Sequence, residues 1–331
     1  MREAARRIAG THEVRLLVVI AALVLGLALG TDHFLTLRNL FDLLTSYAFT
    51  GILAAGLVVV LIAGGIDISF TATASVAQYV AISVALAYPI GWAGLFALAI
   101  AVGLALGLVN AVLVSKLRMS SIITTIATLN IFYGLLVFAT RGNYIYALPD
   151  WFGQGVSWPV WRGAGQVTYA VNLQILLLVI AFGLVWLLLA RTSTGRQIYA
   201  LGGNPDAAQR AGFNVFRLNL LVYGLMGVMA GIASLAQAQL DQSVMPTALV
   251  GKELGVLAAV VLGGASLLGG VGSVPGTILG VALLAVMENG LIILGVPSYW
   301  LDFVVGLVIL IAVSSTTLEL TGRRLRRTTA A

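Results

Sequence analysis

Cysteine is absent from the 331 residues, so neither a disulfide framework nor a thiolate metal site can form. Histidine occurs twice, and His12 and His33 stand isolated, without metal-ligand spacing around them. Charge is scarce. Asp, Glu, Lys and Arg together make up 9% of the chain, against roughly 25% in ordinary soluble domains. No G-x-x-x-x-G-K-[ST] segment occurs, and Gly251-Lys252-Glu253 lacks the preceding glycine loop, which excludes ATP binding of the usual P-loop kind. Paired carboxylates cannot be assigned to one pocket either. No catalytic residue, no metal and no cofactor of its own is therefore expected in this chain.

What the chain has in abundance is apolar sequence: 60% of it is hydrophobic, and the mean hydropathy is +1.05. Apolar runs of about 20 residues recur along its length, and helices satisfy the backbone within lipid over such continuous runs. A barrel would show short alternating strands instead. The expected fold is an all-α polytopic bundle of about ten transmembrane helices, one transmembrane domain over 1–331, with spans near 14–31, 40–63, 68–88, 92–114, 120–140, 171–190, 217–238, 252–269, 274–294 and 300–318. The basic start, MREAARRIAGTHEVR, runs into Leu16–Gly30 like a signal peptide. No clear cleavage site follows and a second span begins at once, so an uncleaved first helix is expected.

The net charge of +6 lies beside the spans, where topology accounts for it without a nucleic-acid partner. With an even number of spans, Arg2, Arg6, Arg7, Arg15, Lys116, Arg118, Arg191, Arg196, Arg210, Arg217, Arg323, Arg324, Arg326 and Arg327 share one side. Only Arg38, Arg141, Arg162 and Lys252 fall on the other, a split of 14 to 4 among 18 basic residues. The positive-inside rule then makes both termini and the loop 191–217 cytoplasmic. The opposite long loop, 141–170, carries Tyr144, Tyr146, Trp151, Phe152, Trp158, Trp161 and Tyr169. An interfacial aromatic belt is the preferred reading of it, and a landing surface for an extracytoplasmic protein is the other.

The loop 191–217 spells a short bounded helix. Asn204 is a good N-cap, Pro205 suits the first helical position, Asp206 complements the dipole, and Gly212 suits a left-handed end. Two turns do not stand alone in water, so flanking spans or a partner must hold it. Ala207, Ala208 and Ala211 form a small flat face suited to a groove on a soluble partner.

Polar residues within the spans are the remaining signal, because hydrocarbon penalises them unless they pair or face water. Asp67, Thr71, Ser75 and Gln78 form one stripe at helical spacing; Ser121, Thr124, Thr125 and Thr128 form another, with Asn130 near it. Together with Asn289 they are candidates for a path taken by an uncharged, hydroxyl-rich solute. The plainer alternative is that each hydroxyl bonds its own helix or a neighbouring span. Asp67, at the Gly64–Gly65 break, reads as a helix-capping acid ahead of a gate residue. Glu288, Asn289 and Asp302 have interfacial solvation as their plain explanation. Gly26/Gly30, Gly103/Gly107, Gly227/Gly231 and Gly272/Gly276/Gly280 read as helix-packing surfaces. Gly64–Gly65 and Gly263–Gly264 interrupt apolar runs and mark possible broken helices.

Gly195, Arg196, Ala200, Gly202, Asn204, Ala207, Ala208 and Gly212 carry a pattern that resembles the cytoplasmic coupling loop of sugar-type ABC importer permeases, the ribose, xylose and autoinducer-2-like group of binding-protein-dependent inner-membrane components. GGIDIS at Gly64–Ser69, Ser120–Asn130, LGGASLLGGVGSVPGT at Leu262–Thr277 and ENGLIILGVPSYW at Glu288–Trp300 resemble the same family in the same order. The family usually continues the first of these as Val-Gly, where this chain has Phe70-Thr71. The resemblance implies a transport subunit, not an enzyme, in a bacterial inner membrane. It implies a second permease subunit, identical or paralogous, two ATP-binding cassette subunits carrying ATP and Mg2+ and docking at the matched loop residues, and an extracytoplasmic sugar-binding protein. An importer for nucleosides or branched-chain amino acids is the alternative within the class. An ion-coupled secondary transporter or a channel is the alternative outside it, although the few acids cluster near span ends.

Overall fold

A computed structural model describes residues 12–162 and 168–297, together with 300, 303, 304, 306, 307 and 310. In chain order come α1 (His12–Gly30), α2 (Leu37–Ser46), α3 (Ala48–Ile62), α4 (Phe70–Ala87), α5 (Gly91–Lys116) and α6 (Ser121–Thr140). The turn α7 (Asp150–Gly153) and an antiparallel hairpin, β1 (Ser157–Arg162) with β2 (Thr168–Asn172), lead into α8 (Leu173–Arg191). Two short helices follow, α9 (Ser193–Gly203) and α10 (Pro205–Arg210), and then α11 (Val215–Asp241), α12 (Glu253–Leu262) and α13 (Val274–Ile293).

Among the described residues, seven helices, α1, α4, α5, α6, α8, α11 and α13, are long and apolar enough to cross a bilayer. The pair α2–α3, bent by 52°, makes an eighth span if it is counted as one. Thr36 starts α2 by accepting the Asn39 amide at 3.2 Å. The expected span 252–269 takes another form. Its helix, α12, has only ten residues and so covers about 15 Å, half of an apolar core of about 30 Å. Gly263 and Gly264 end it, and Gly264 takes a φ of +91° that an apolar-run reading does not register. The expected last span, 300–318, is helical at its six described positions and otherwise lies outside the described residues, as do Asp302 and the terminal arginines assigned to one side.

The axis of the bundle is α3. All of its fifteen residues except Thr50 are buried, enclosed by α8, α11, α12 and α13. Hydrophobicity alone does not drive apolar helices together in lipid; close packing does. Gly103 and Gly107 of α5 lie against the backbone of Gly227 and Tyr223 on α11, so these two helices approach at main-chain distance. Gly276 and Gly280 do the same against Gly263 and Ala259. Among the described residues, nothing lies within 4 Å of where a Cβ on Gly26 would stand, so this glycine of the expected Gly26/Gly30 surface packs against none of them. The first helix rests on α13 instead through Leu27 against Gly290.

Candidate functional site

Three side-chain caps fall within 23 residues of the loop after α8. Thr192 Oγ1 accepts the Gly195 amide at 3.0 Å, Asn204 Oδ1 accepts the Ala207 amide at 2.9 Å, and Asn214 Oδ1 accepts the Arg217 amide at 3.0 Å. Gly212 adopts the left-handed conformation, with φ +87°, just past α10. The short helix is thus bounded at both ends by local chemistry, as its residue types dictate. Its presented face differs from the expectation in one member. Ala208 is 3% exposed and turned into its own chain, so the small outward face is Ala207 and Ala211, four residues apart, beside Gln209 and Arg210. Arg196 and Asn204 are also at the surface, whereas Gly195 packs on the α8 backbone and Gly202 is buried.

Gly202 lies at a junction of three backbones. A Cβ there would stand 1.8 Å from the Ile62 carbonyl oxygen at the end of α3 and 2.6 Å from the Gly270 nitrogen in the loop 263–273. The Gly270 amide donates to that same Ile62 oxygen at 2.9 Å. Gly269 completes the contact, with its Cβ position 2.7 Å from the Gly64 Cα. Both interrupted segments therefore meet at the end of α9. Tyr199, one turn earlier, donates its hydroxyl to the Gly272 carbonyl at 2.8 Å. Partial burial raises the Tyr199 hydroxyl above its ordinary value, so it stays a donor across the physiological range.

The polar stripes converge at the first break. Asp67 Oδ1 accepts the Ser69 amide at 2.8 Å and the Ser69 hydroxyl at 2.7 Å, and Asn110 Nδ2 donates to Ser69 Oγ at 2.7 Å. This Asx-type turn sets the carboxylate against the start of α4, where the helix dipole favours it. From α6, Ser121 Oγ accepts the Ile66 amide at 3.0 Å while Thr125 donates to the Ile66 carbonyl at 3.2 Å. Thr71 bonds the Glu253 carboxylate of α12, and the Gly251 amide donates to the same carboxylate at 2.9 Å. Ser75, Thr124 and Thr128 donate to carbonyls of their own helices. Gln78 lines a 270 Å³ cavity with Asp241 and Ser243. Asn130 stands apart on the exposed face of α6, among Ile126, Ile131 and Phe138, with its amide donating to the Ile126 carbonyl at 2.8 Å.

Because Thr125 and Ser121 hold Ile66, in the middle of the link 63–69 between α3 and α4, Thr125→Val leaves the Ile66 carbonyl without that donor. The expected result is a loss of about 1–3 kcal/mol in stability, read as a lower melting temperature of the detergent-solubilised protein.

A larger cavity, 650 Å³, opens between the α2–α3 bend, the start of α12 and the far end of α13. Ser46, Tyr47, Thr50, Lys252, Glu288 and Asn289 supply its polar lining. The Tyr47 hydroxyl bonds Glu288, and Asn289 exchanges two amide hydrogen bonds with Asn39, at 2.9 and 3.0 Å. Lys252 lies over the Phe49 ring, 5.3 Å from its centroid. Glu288 and Asn289 were visible in sequence as polar residues in an apolar run. Tyr47 and Lys252 carried no such signal, because only the bend and the shortness of α12 bring them there. At the same end of the bundle, Trp92, Trp151 and Phe152 pack ring on ring, and Trp158, Val160 and Trp161 of β1 are exposed.

Interrupted helices, buried carboxylates held by hydroxyl and amide donors, and an ordered surface element define a multi-pass membrane protein of the transporter class. The chain belongs to the family described as branched-chain amino acid transport system / permease component, which matches residues 39–313. It is 34% identical over 312 residues to the ribose import permease protein RbsC of Escherichia coli, covering 91% of this chain and 92% of that one. It is 36% identical over 296 residues to RbsC of Bacillus subtilis, covering 88% of each. The autoinducer 2 import system permease protein LsrC of Photorhabdus luminescens is 31% identical over 307 residues, 92% of this chain and 89% of its own. No solved structure matches the chain.

Proposed function

We propose that this chain is the membrane-spanning permease subunit of an ABC importer that carries a monosaccharide or similar small polyol across a bacterial inner membrane. The observation that carries the reading is the capped α9–α10 element, presented at one end of the bundle and seated on both helix breaks. Similarity to ribose import permease proteins over nine-tenths of the chain supports it. Arg15, Lys116, Arg118, Arg191, Arg196, Arg210 and Arg217 lie toward that end, and the positive-inside rule supports a cytoplasmic placement of it. ATP and Mg2+ bind the separate ATP-binding subunits that dock there. The exposed Asn130 face of α6 meets a second permease subunit, since an amide at mid-span is costly against lipid. An extracytoplasmic binding protein delivers the solute at the opposite, aromatic end.

The 650 Å³ cavity lies at that delivery end and offers hydroxyl, amide and carboxylate groups, a hydrogen-bonding set for an uncharged polyol. One observation favours a second reading, a branched-chain amino acid as solute: Lys252 and Glu288 line the same cavity with opposite charges. Proteoliposomes holding the permease, its ATP-binding subunits and its binding protein decide between them. ATP-dependent uptake of labelled ribose that leucine does not compete with supports the sugar reading; leucine uptake would replace it, and uptake by this chain alone along an ion gradient would overturn the ABC assignment. In the same vesicles Glu288→Gln is expected to raise the KM for the transported solute about tenfold, the scale of one charged hydrogen bond.

A further inference from the structure

The loop 263–273 is tied down at three places. At its start, His12 Nε2 lies 2.7 Å from the Leu262 carbonyl oxygen. At its end, Ser273 caps α13 by accepting the Gly276 amide at 3.1 Å and donates to Glu13 at 3.0 Å. Both ends are thus stapled to the first turn of α1, a helix on the rim of the bundle. The middle is held from the other side: Tyr199 bonds Gly272, and Gly202 and Gly203 of α9 press on Gly269 and Gly270. Gly264, Gly269 and Gly270 all take positive φ, a backbone conformation that glycine adopts without steric cost. Backbone set directly against backbone leaves no side chain to absorb a displacement, and packed contacts of this kind switch between arrangements instead of yielding gradually.

We propose that Tyr199 is a positioning residue that ties the α9–α10 element to the loop 263–273, making this loop the lever through which movement of the docked ATP-binding subunits resets α12 and α13. The inference rests on the docking reading above. Tyr199 touches neither solute nor nucleotide; it acts through Gly272. The hydroxyl also explains why a half-buried tyrosine, and not an apolar residue, occupies a helix otherwise seated by Ile198 and Leu201.

The test is made on the complete reconstituted importer. Tyr199→Phe removes one hydroxyl; it is expected to leave co-purification of the ATP-binding subunits intact while solute moved per ATP hydrolysed falls about fivefold or more. An unchanged ratio overturns the lever. So does loss of the ATP-binding subunits from this variant, which would move Tyr199 to the docking surface, whereas retention of those subunits by Ala207→Glu would instead sink the docking reading itself. A second measurement uses the natural absence of cysteine. Leu268, 87% exposed at the loop tip, becomes a unique label site as Leu268→Cys. Its maleimide labelling rate is expected to differ between the nucleotide-free and vanadate-trapped importer, and to lose that difference when Tyr199→Phe is added. Equal rates in the two states without Tyr199→Phe count against the lever.

Discussion

Replacement of Gly227 by leucine is expected to leave almost no monodisperse protein on size-exclusion chromatography in mild detergent. A Cβ at Gly227 would stand 2.1 Å from the Gly103 carbonyl oxygen, and one at Gly103 would stand 2.2 Å from the Gly227 oxygen. The neighbouring approaches are equally close, with Gly107 on the Tyr223 oxygen at 2.3 Å and Gly231 on the Ala99 oxygen at 2.4 Å. These obstacles are main-chain atoms, so no rotamer change relieves them, and α5 and α11 must separate along their whole contact. Overpacking one core site costs about 1–3 kcal/mol. Separating two helices forfeits several such contacts at once, a large share of a total stability of about 5–15 kcal/mol. Gly26→Leu is the matched control: its surroundings are open to 4 Å, and the same substitution there is expected to change the elution profile little. A normal profile for Gly227→Leu would refute the account of this helix pair.

The second large effect is expected at Ala207. Ala207→Glu places a carboxylate in the first turn of α10, where the dipole accepts it, so the fold is expected to survive. The same charge at the centre of a desolvated contact with an ATP-binding subunit has no partner provided for it. A central contact residue is worth about 2 kcal/mol or more, about 30-fold in affinity. Pull-down of the ATP-binding subunits through a tag on the permease is the measurement, with ATP-driven uptake expected to vanish in parallel. Ala208→Glu is not equivalent, because Ala208 faces inward and the charge would be buried against this chain's own backbone. That variant is expected to fail in folding, before docking is reached.

The two expectations show where residue order sufficed and where it did not. Asn204, Pro205 and Gly212 declared α10 because caps are local: the partners lie within three residues and need no tertiary information. Ala207 and Ala208 looked alike for the opposite reason, since which side of a two-turn helix faces the bundle is settled by how α9 is seated. Long apolar runs likewise gave the spans away, but a run broken by glycine reads the same whether it crosses or stops, and 252–269 stops as α12. The polar stripes were legible as residue types and spacing; that Ser121 and Thr125 grip the Ile66 peptide, and that Thr71 finds Glu253, depends on residues 55 to 182 positions distant. The cavity at Glu288 was half visible. Its tyrosine and lysine become polar neighbours only through the 52° bend and the short helix opposite.

The enclosure of α3 has a bearing on chemical labelling from within the bilayer. Its sequence, AFTGILAAGLVVVLI, is as oily as any lipid-facing span, yet neighbouring helices sheathe all but Thr50. On α8, by contrast, Val179, Leu184 and Leu187 are each more than half exposed. A photoactivated carbene probe dissolved in the acyl chains would mark the outward side of α8 and pass over α3. The most hydrophobic of the described helices would then be the blank one in a peptide map, a shadow cast by the other helices and an outline of the folded bundle that survives digestion.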